Sequence, residues 1–269
     1  MDRDGLLGVA ITAAEGAAAI IRGRVADAAS IQWRKKHPAD FVSEVDTSAE
    51  EAIREIIVRE VSGAIVIAEE GSPDAAIGDA PTFIVDPLDG TTNFLHGYPA
   101  FAVSIGVLVG RAIVAGVIID VPTRDVYTAR AGSGAFRNGE PISVSSITDP
   151  SNALIGTRFP FKNVELLDVY QRQFAQVTRE TAGIRRAGSA ALDLASVAGG
   201  RFDAFWELNL MSWDYAAGML LVQEAGGVVT DADGGTPRFG ASAIVAGNRA
   251  LHAWLLELLS KEARQARHT

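Results

Sequence analysis

No cysteine occurs in the 269 residues, so disulfides and thiolate metal sites are both excluded. Only four histidines are present, and they are scattered, which argues against an imidazole-rich zinc centre. A metal, if bound, is therefore held by oxygen. Positive charge is also in short supply: the net charge is -9, whereas a nucleic-acid binder normally presents a basic face. No uninterrupted run of about 18 apolar residues occurs. The alanine-rich start carries two early aspartates and Glu15, so it reads as an amphipathic helix packed on the body and not as a leader or a membrane span. The expectation is a cytoplasmic protein without membrane contact. The chain lacks a P-loop with Lys-Ser/Thr and a G-x-S-x-G elbow, which disfavours nucleotide-driven transfer and serine hydrolase chemistry. It lacks a Pro/Gly/Ser linker and internal repeats. One compact unit over 1–269 is expected, with lobes 1–145 and 146–269.

What is present is a core-forming composition. Apolar residues make up 48% and charged residues 21%, which excludes a disordered chain. The pattern predicts a helix over 4–28, a short strand at 31–35 and a helix over 47–61 opened by a capping box from Thr47 to Glu50. Apolar runs at 64–68 and 82–86 are of strand length. Closely spaced β-branched runs at 102–110, 112–120 and 124–130 read as an antiparallel meander, and Asn138-Gly139 signals a tight hairpin. "GSGAFRNG" fails the full dinucleotide-loop spacing and leads into that hairpin, not into a helix. Beyond it, strands at 152–158, 183–186, 201–208, 227–234 and 242–248 alternate with helices at 163–178, 189–200, 212–227 and 251–264. The combination predicts layered sheets and helices.

Acidic residues stand at the ends of several of these elements. Asp46 precedes a helix, Glu69 and Glu70 follow the strand at 64–68, and Asp214 lies in a first helical turn behind Ser212 as expected N-cap. Taken singly, each suits an ordinary turn, cap or solvated loop. "VDPLDGTTNF" is different: Pro87 and Gly90 build a turn, but a turn needs neither a second carboxylate beside Asp86 nor two hydroxyls. Two carboxylates side by side oppose each other's ionisation, and a divalent cation removes the conflict. Oxygen ligands of this hardness favour Mg²⁺. Carboxylate-bound Mg²⁺ suits phosphoryl hydrolysis. The haloacid-dehalogenase pattern is a rival, but its paired aspartates lie two residues apart and Asp86 and Asp89 lie three apart. That spacing favours water as the nucleophile.

"EEG", "VDPLDGTTNF", "GSGAFRNG", "GSAALDLA" and "SWDYAAGMLLVQEAGG", in that order from about residue 40 to 247, resemble the inositol monophosphatase family. The resemblance implies a mixed α/β fold, an αβαβα sandwich, with Mg²⁺-dependent, lithium-sensitive hydrolysis of phosphate monoesters, usually in homodimers. It implies that Glu69, Asp86 and the Leu88 carbonyl hold one Mg²⁺, that Asp86, Asp89 and Asp214 hold a second, and that a weaker third ion sits near Glu69. It implies that Thr91, hydrogen-bonded to Asp46, activates a water. Gly90 and Thr91 would meet phosphate oxygens, Gly188, Ser189 and Ala190 would offer a helix start to the ligand, and Glu207 would receive a sugar hydroxyl. The implied first substrate is myo-inositol 1-phosphate. Fructose 1,6-bisphosphate, histidinol phosphate, NADP and 3′-phosphoadenosine 5′-phosphate are the alternatives among relatives, and a partner-binding protein that retains the site is a further one.

Overall fold

A computed structural model describes residues 2–37 and 40–265, so the expected unit 1–269 extends beyond the described residues at 1, 38–39 and 266–269. Asp2 caps helix α1 (Arg3–Arg24) by accepting from the Gly5 N–H, and the helix runs on into a 3₁₀ turn at Val25–Ser30. This is the one described helix long and apolar enough to cross a membrane, by length and composition alone. Its Leu6, Ala10, Ala13, Ala17 and Ile21 are instead buried in the protein core. Next come β1 (Trp33–His37) and β2 (Asp40–Ser43), an antiparallel ribbon. The pattern predicts no second strand here, because Phe41-Val42 is too short an apolar run to stand out.

Helix α2 (Glu44–Glu60) starts three residues before the expected position. Its box is Ser43 with Asp46, not Thr47 with Glu50: the Ser43 hydroxyl accepts from the Val45 N–H, and the Asp46 carboxylate reaches back to the Ser43 N–H at 2.8 Å. That correction matters to the site, because the cap fixes Asp46.

The chain then builds β3 (Ile65–Ala68), β4 (Thr82–Asp89), the short helix α3 (Thr91–Leu95), β5 (Ala102–Val109), β6 (Ala112–Asp120), β7 (Val126–Arg130), β8 (Ala135–Arg137) and β9 (Glu140–Ile142). These strands lie in sequence order in one seven-stranded sheet, with β3 and β4 parallel and the rest antiparallel. Asn138 and Gly139 both take positive φ at the β8–β9 turn, as a tight hairpin requires. The second sheet uses β10 (Leu154–Thr157), β11 (Gly183–Arg185), β12 (Ala204–Leu210), β13 (Val228–Thr230) and β14 (Ser242–Gly247), in the order β11-β10-β12-β14-β13. Four helices accompany it: α4 (Leu167–Glu180), α5 (Ala190–Ala198), α6 (Ser212–Glu224) and α7 (Arg249–Gln265).

The layers follow from which faces are apolar. Helices α1 and α2 cover one face of the seven-stranded sheet, and α5 and α6 fill the space between the sheets. Helices α4 and α7 cover the outer face of the five-stranded sheet around Tyr170, Trp206 and Leu255. The result is the αβαβα sandwich that the motifs imply. Small residues let the middle layer approach closely. A Cβ on Gly106 of β5 would lie 2.8 Å from the Ala216 Cβ of α6, so glycine is required there.

Candidate active site

The acids of "VDPLDG" occupy the last turn of a strand that changes its phase. Between Asp86, opposite Ser104, and Asp89, opposite Ala102, strand β4 advances three residues while β5 advances two. In an unbroken strand, side chains three apart face opposite sides of the sheet. The bulge at Pro87 and Leu88 inserts the extra residue and lets both carboxylates reach one place. Asp214 comes from the first turn of α6, held by the close packing of that helix on β5. Ligand oxygens of Asp86, Asp89 and Asp214 lie within 4.8 Å of one another.

Each carboxylate is tethered. Leu88 N–H donates to Asp86 Oδ1 at 3.0 Å, and Met211 N–H donates to Asp214 Oδ2 at 2.6 Å. Met211, not Ser212, is thus the N-cap of α6; Ser212 is its first helical residue, and the Ser212 hydroxyl accepts from the Gly240 N–H instead. Asp89 Oδ2 accepts from the Ser189 hydroxyl at 2.6 Å and from the Ala191 N–H at 2.8 Å. The start of α5, expected to face a ligand, therefore holds Asp89. Ser189 and Ala190 are fully buried, whereas Gly188 lines the small cavity above the acids.

At that spacing two unit charges repel by ~3 kcal/mol at an effective dielectric of about 20. Burial first, and then Glu69, Asp89 and Asp214, push Asp86 well above the ordinary carboxylate range. Burial also raises Asp89 against the bonds from Ser189 and Ala191. Burial, with the charges of Glu69 and Asp89, raises Asp214 to about 7. Three carboxylates, two buried and one half-buried, that resist ionising together are built either to share protons or to hold a cation. The donors are hard oxygens throughout, without cysteine or histidine, and they fit a divalent ion of the Mg²⁺ type.

Thr91 connects this cluster to Asp46. Its hydroxyl lies 2.8 Å from Asp46 Oδ1 and 3.1 Å from the Leu88 carbonyl oxygen. Asp46 Oδ2 is occupied by the Ser43 N–H and hydroxyl. Burial raises the Asp46 carboxyl to about 6 even against those three bonds. Gly90 turns the chain with φ +97°, and a Cβ there would lie 2.8 Å from the Ala100 carbonyl oxygen. Gly90, Thr91, Leu88, Asp86, Asp89, Asp214 and Glu69 all border the small cavity of about 50 Å³. Glu69 and Asp214 also border an adjoining cavity of about 410 Å³, together with Glu207. Burial pushes Glu207 up to about 8, despite the opposing charge of Arg158.

Residues 2–264 match the model of the inositol monophosphatase family. The chain belongs to the inositol monophosphatase family. It is 42% identical over 261 residues to a protein of Rhizobium meliloti named inositol-1-monophosphatase, covering 97% of this chain and 98% of the relative. It is also 42% identical over 247 residues to a protein of Pseudomonas aeruginosa named Nus factor SuhB, covering 90% and 91%. A crystal structure of extragenic suppressor protein suhB from Bartonella henselae superposes with a TM-score of 0.89 at 41% identity, covering 95% of this chain and 98% of that one. Membership in the inositol monophosphatase family supports phosphatase activity.

A ring of cations surrounds the acids, and the sequence carries little sign of it. Lys36 donates to Glu69 at 3.1 Å and to Glu70 at 2.8 Å. Burial raises Glu70 to about 7, although Lys36 opposes the shift. Lys162 lies 3.7 Å from Glu69, Arg158 lies 3.7 Å from Glu207, and Arg186 borders the small cavity. One signal was legible: Arg158 is a charged residue directly after the buried strand β10, at the strand end where α/β sites gather. Lys36 carries none, because Phe41-Val42 is too short an apolar run to mark its ribbon partner β2.

Proposed function

We propose that the protein hydrolyses a phosphate monoester of a small polyol, myo-inositol 1-phosphate first among candidates, with Mg²⁺ as cofactor. The observation that carries this reading is the convergence of Asp86, Asp89 and Asp214 within 4.8 Å, beside a Thr91 hydroxyl bonded to a buried Asp46. Asp86, Asp89 and Asp214, with Glu69 and the Leu88 carbonyl at the margin, would hold two Mg²⁺, and a third ion would lie near Glu69. Bound there, Mg²⁺ supplies positive charge to phosphate oxygens and acidifies water.

The remaining work falls to the chain. The Thr91 hydroxyl donates its proton toward Asp46, which leaves its lone pairs to accept a proton from a water approaching phosphorus. A threonine hydroxyl is a poor base alone, but the Asp46 carboxylate takes up the developing positive charge. Gly90 and Thr91 N–H groups face the phosphate oxygens, and Gly188 shapes the floor beside them. Ser189 and Ala190 act through Asp89, which they and Ala191 hold in place. Glu207 accepts a hydroxyl of the polyol. The seven-stranded sheet and helix α6 supply the acids and the five-stranded sheet supplies Glu207, so the chain acts as one unit, in the cytoplasm and as a homodimer.

The test is a phosphate-release screen over inositol and sugar phosphates, histidinol phosphate, NADP and nucleotide phosphates, with and without Mg²⁺ and Li⁺. Release from myo-inositol 1-phosphate that requires Mg²⁺ and is inhibited by Li⁺ is the expected result. Preference for another ester would move the substrate, and Mg²⁺-independent turnover would sink the cofactor reading. A second role, in binding a macromolecular partner, draws support from the relative named a Nus factor. Co-elution of a defined partner with Asp86→Asn as well as with the wild type is the outcome that role predicts.

A further inference from the structure

Glu50 is a second buried acid of α2, about one helical turn after Asp46. It has no part in the helix start, because Ser43 and Asp46 form the capping box there. A buried carboxylate is costly unless its oxygens are paired, and an apolar side chain would serve packing alone. Both oxygens of Glu50 are engaged. Oε2 accepts from the Glu70 N–H at 2.9 Å, and Oε1 faces Nη2 of Arg54 at 3.5 Å. The same Arg54 nitrogen donates to the Ser72 hydroxyl at 2.7 Å, and that hydroxyl donates to the Val66 carbonyl oxygen at 2.7 Å. These contacts converge on the segment that leaves β3.

That segment is a tight turn from Ala68 to Ser72, closed by two backbone bonds between those residues at 3.4 Å and 3.3 Å. Glu69 stands inside it. The Glu69 N–H donates to the carbonyl oxygen of Val85, the residue before Asp86. The next N–H, that of Glu70, donates to Glu50. The peptides on both sides of the Glu69 Cα are thus tied, one to the strand that carries Asp86 and one to the helix that carries Asp46. The Glu69 carboxylate also meets Lys36 at 3.1 Å and Lys162 at 3.7 Å, so the backbone anchors set where it can reach. Gly71 completes the arrangement. Its φ is not positive, but a Cβ there would collide with Glu50 Oε1, so the turn closes on the carboxylate only with glycine between them.

We propose that Glu50 is a positioning residue for the metal-binding acids, which keeps the Glu69 carboxylate in reach of an ion held by Asp86. The proposal rests on the Mg²⁺ reading above and adds to it the side chain that sets one ligand's place. Asp46 and Glu50 then divide one face of α2 between them, the first steadying Thr91 and the second Glu69.

Titration calorimetry of the metal-free protein with Mg²⁺ tests this for Glu50→Ala, Glu50→Gln and Gly71→Ala. The Mg²⁺ dependence of phosphate release from myo-inositol 1-phosphate is measured beside it. Groups that orient a metal ligand typically contribute about 10- to 100-fold in affinity. Glu50→Ala is expected to weaken Mg²⁺ binding by a factor in that range and to raise the half-saturating Mg²⁺ alike, with kcat at saturating Mg²⁺ little changed. Glu50→Gln keeps an oxygen for the Glu70 N–H and recovers part of the affinity. Gly71→Ala, at an exposed position, weakens binding as well, because its methyl displaces the same carboxylate. In a Glu69→Ala background, Glu50→Ala adds less than about a twofold further loss, because the ligand it positions is already gone. Unchanged Mg²⁺ affinity in Glu50→Ala, additive losses with Glu69→Ala, or a lower kcat at unchanged affinity would each overturn the proposal. If Glu50→Ala fails to fold, Gly71→Ala and Glu50→Gln decide it by the same titration. A wild type that binds Mg²⁺ but releases phosphate from no ester refutes the phosphatase reading alone, and calorimetry still decides this one. A wild type that binds no Mg²⁺ refutes both.

Discussion

Thr91 has one hydroxyl proton and two acceptors in reach, and the shorter contact is to Asp46. Removing that hydroxyl leaves the carboxylate cluster in place. Thr91→Ala is therefore expected to lower kcat by about 10²–10⁴, while the Mg²⁺ affinity read by titration calorimetry changes little. Equal loss of both would mean that Thr91 holds the metal. Asp46 supports the same chemistry from a position fixed by its own cap. Ser43→Ala removes the hydroxyl that accepts from Val45 and donates to Asp46, and should cost about 1 kcal/mol in denaturant unfolding. Turnover falls with it, because Asp46 loses one of its anchors.

At the scale of elements, the site depends on a bulge and a close helix. Asp86 and Asp89 were legible as a pair, since Pro87 and Gly90 mark a turn and two carboxylates in a turn demand a reason. How residues three apart share a face was not legible, because a bulge is a matter of pairing with β5 and leaves no mark in β4 alone. The order of strands and helices was readable from apolar periodicity almost throughout. The exceptions include the two caps, shifted to Ser43 and Met211, the five-residue helix α3, too short to show a helical period, and β2, whose Phe41 and Val42 are too few to show alternation. Arg158 and Lys36 escaped notice because a cation's value here comes from carboxylates distant in sequence. Helix α6 packs this close to the sheet where Gly106 of β5 and Gly116 of β6 leave room for it. Gly106→Ala puts a methyl 2.8 Å from the Ala216 Cβ, and overpacking of this kind costs about 1–3 kcal/mol. Thermal unfolding should show that loss, and Mg²⁺ should bind more weakly as α6 carries Asp214 away.

For the whole molecule, the buried acids link stability to pH and metal. Asp46, Asp86, Asp89 and Asp214 all have folded-state pKa values above those of the unfolded chain. Between about pH 4 and 7 the native protein thus holds protons that the unfolded chain has released, and stability falls as pH rises through that window. Metal-free protein is expected to melt at a lower temperature at pH 7.5 than at pH 5.5, and Mg²⁺ should restore the difference at the higher pH. A melting temperature that rises with pH without metal would contradict the assignment of those shifts. The proposed reaction depends on a cluster drawn from β4 of the seven-stranded sheet and from α6 of the middle layer. Phosphate release from myo-inositol 1-phosphate, measured across a Mg²⁺ titration for the wild type and for Asp86→Asn, tests that claim most directly. Saturable Mg²⁺-dependent release by the wild type and none by Asp86→Asn is the predicted result. Release by Asp86→Asn at the wild-type rate and with the same Mg²⁺ dependence would contradict it.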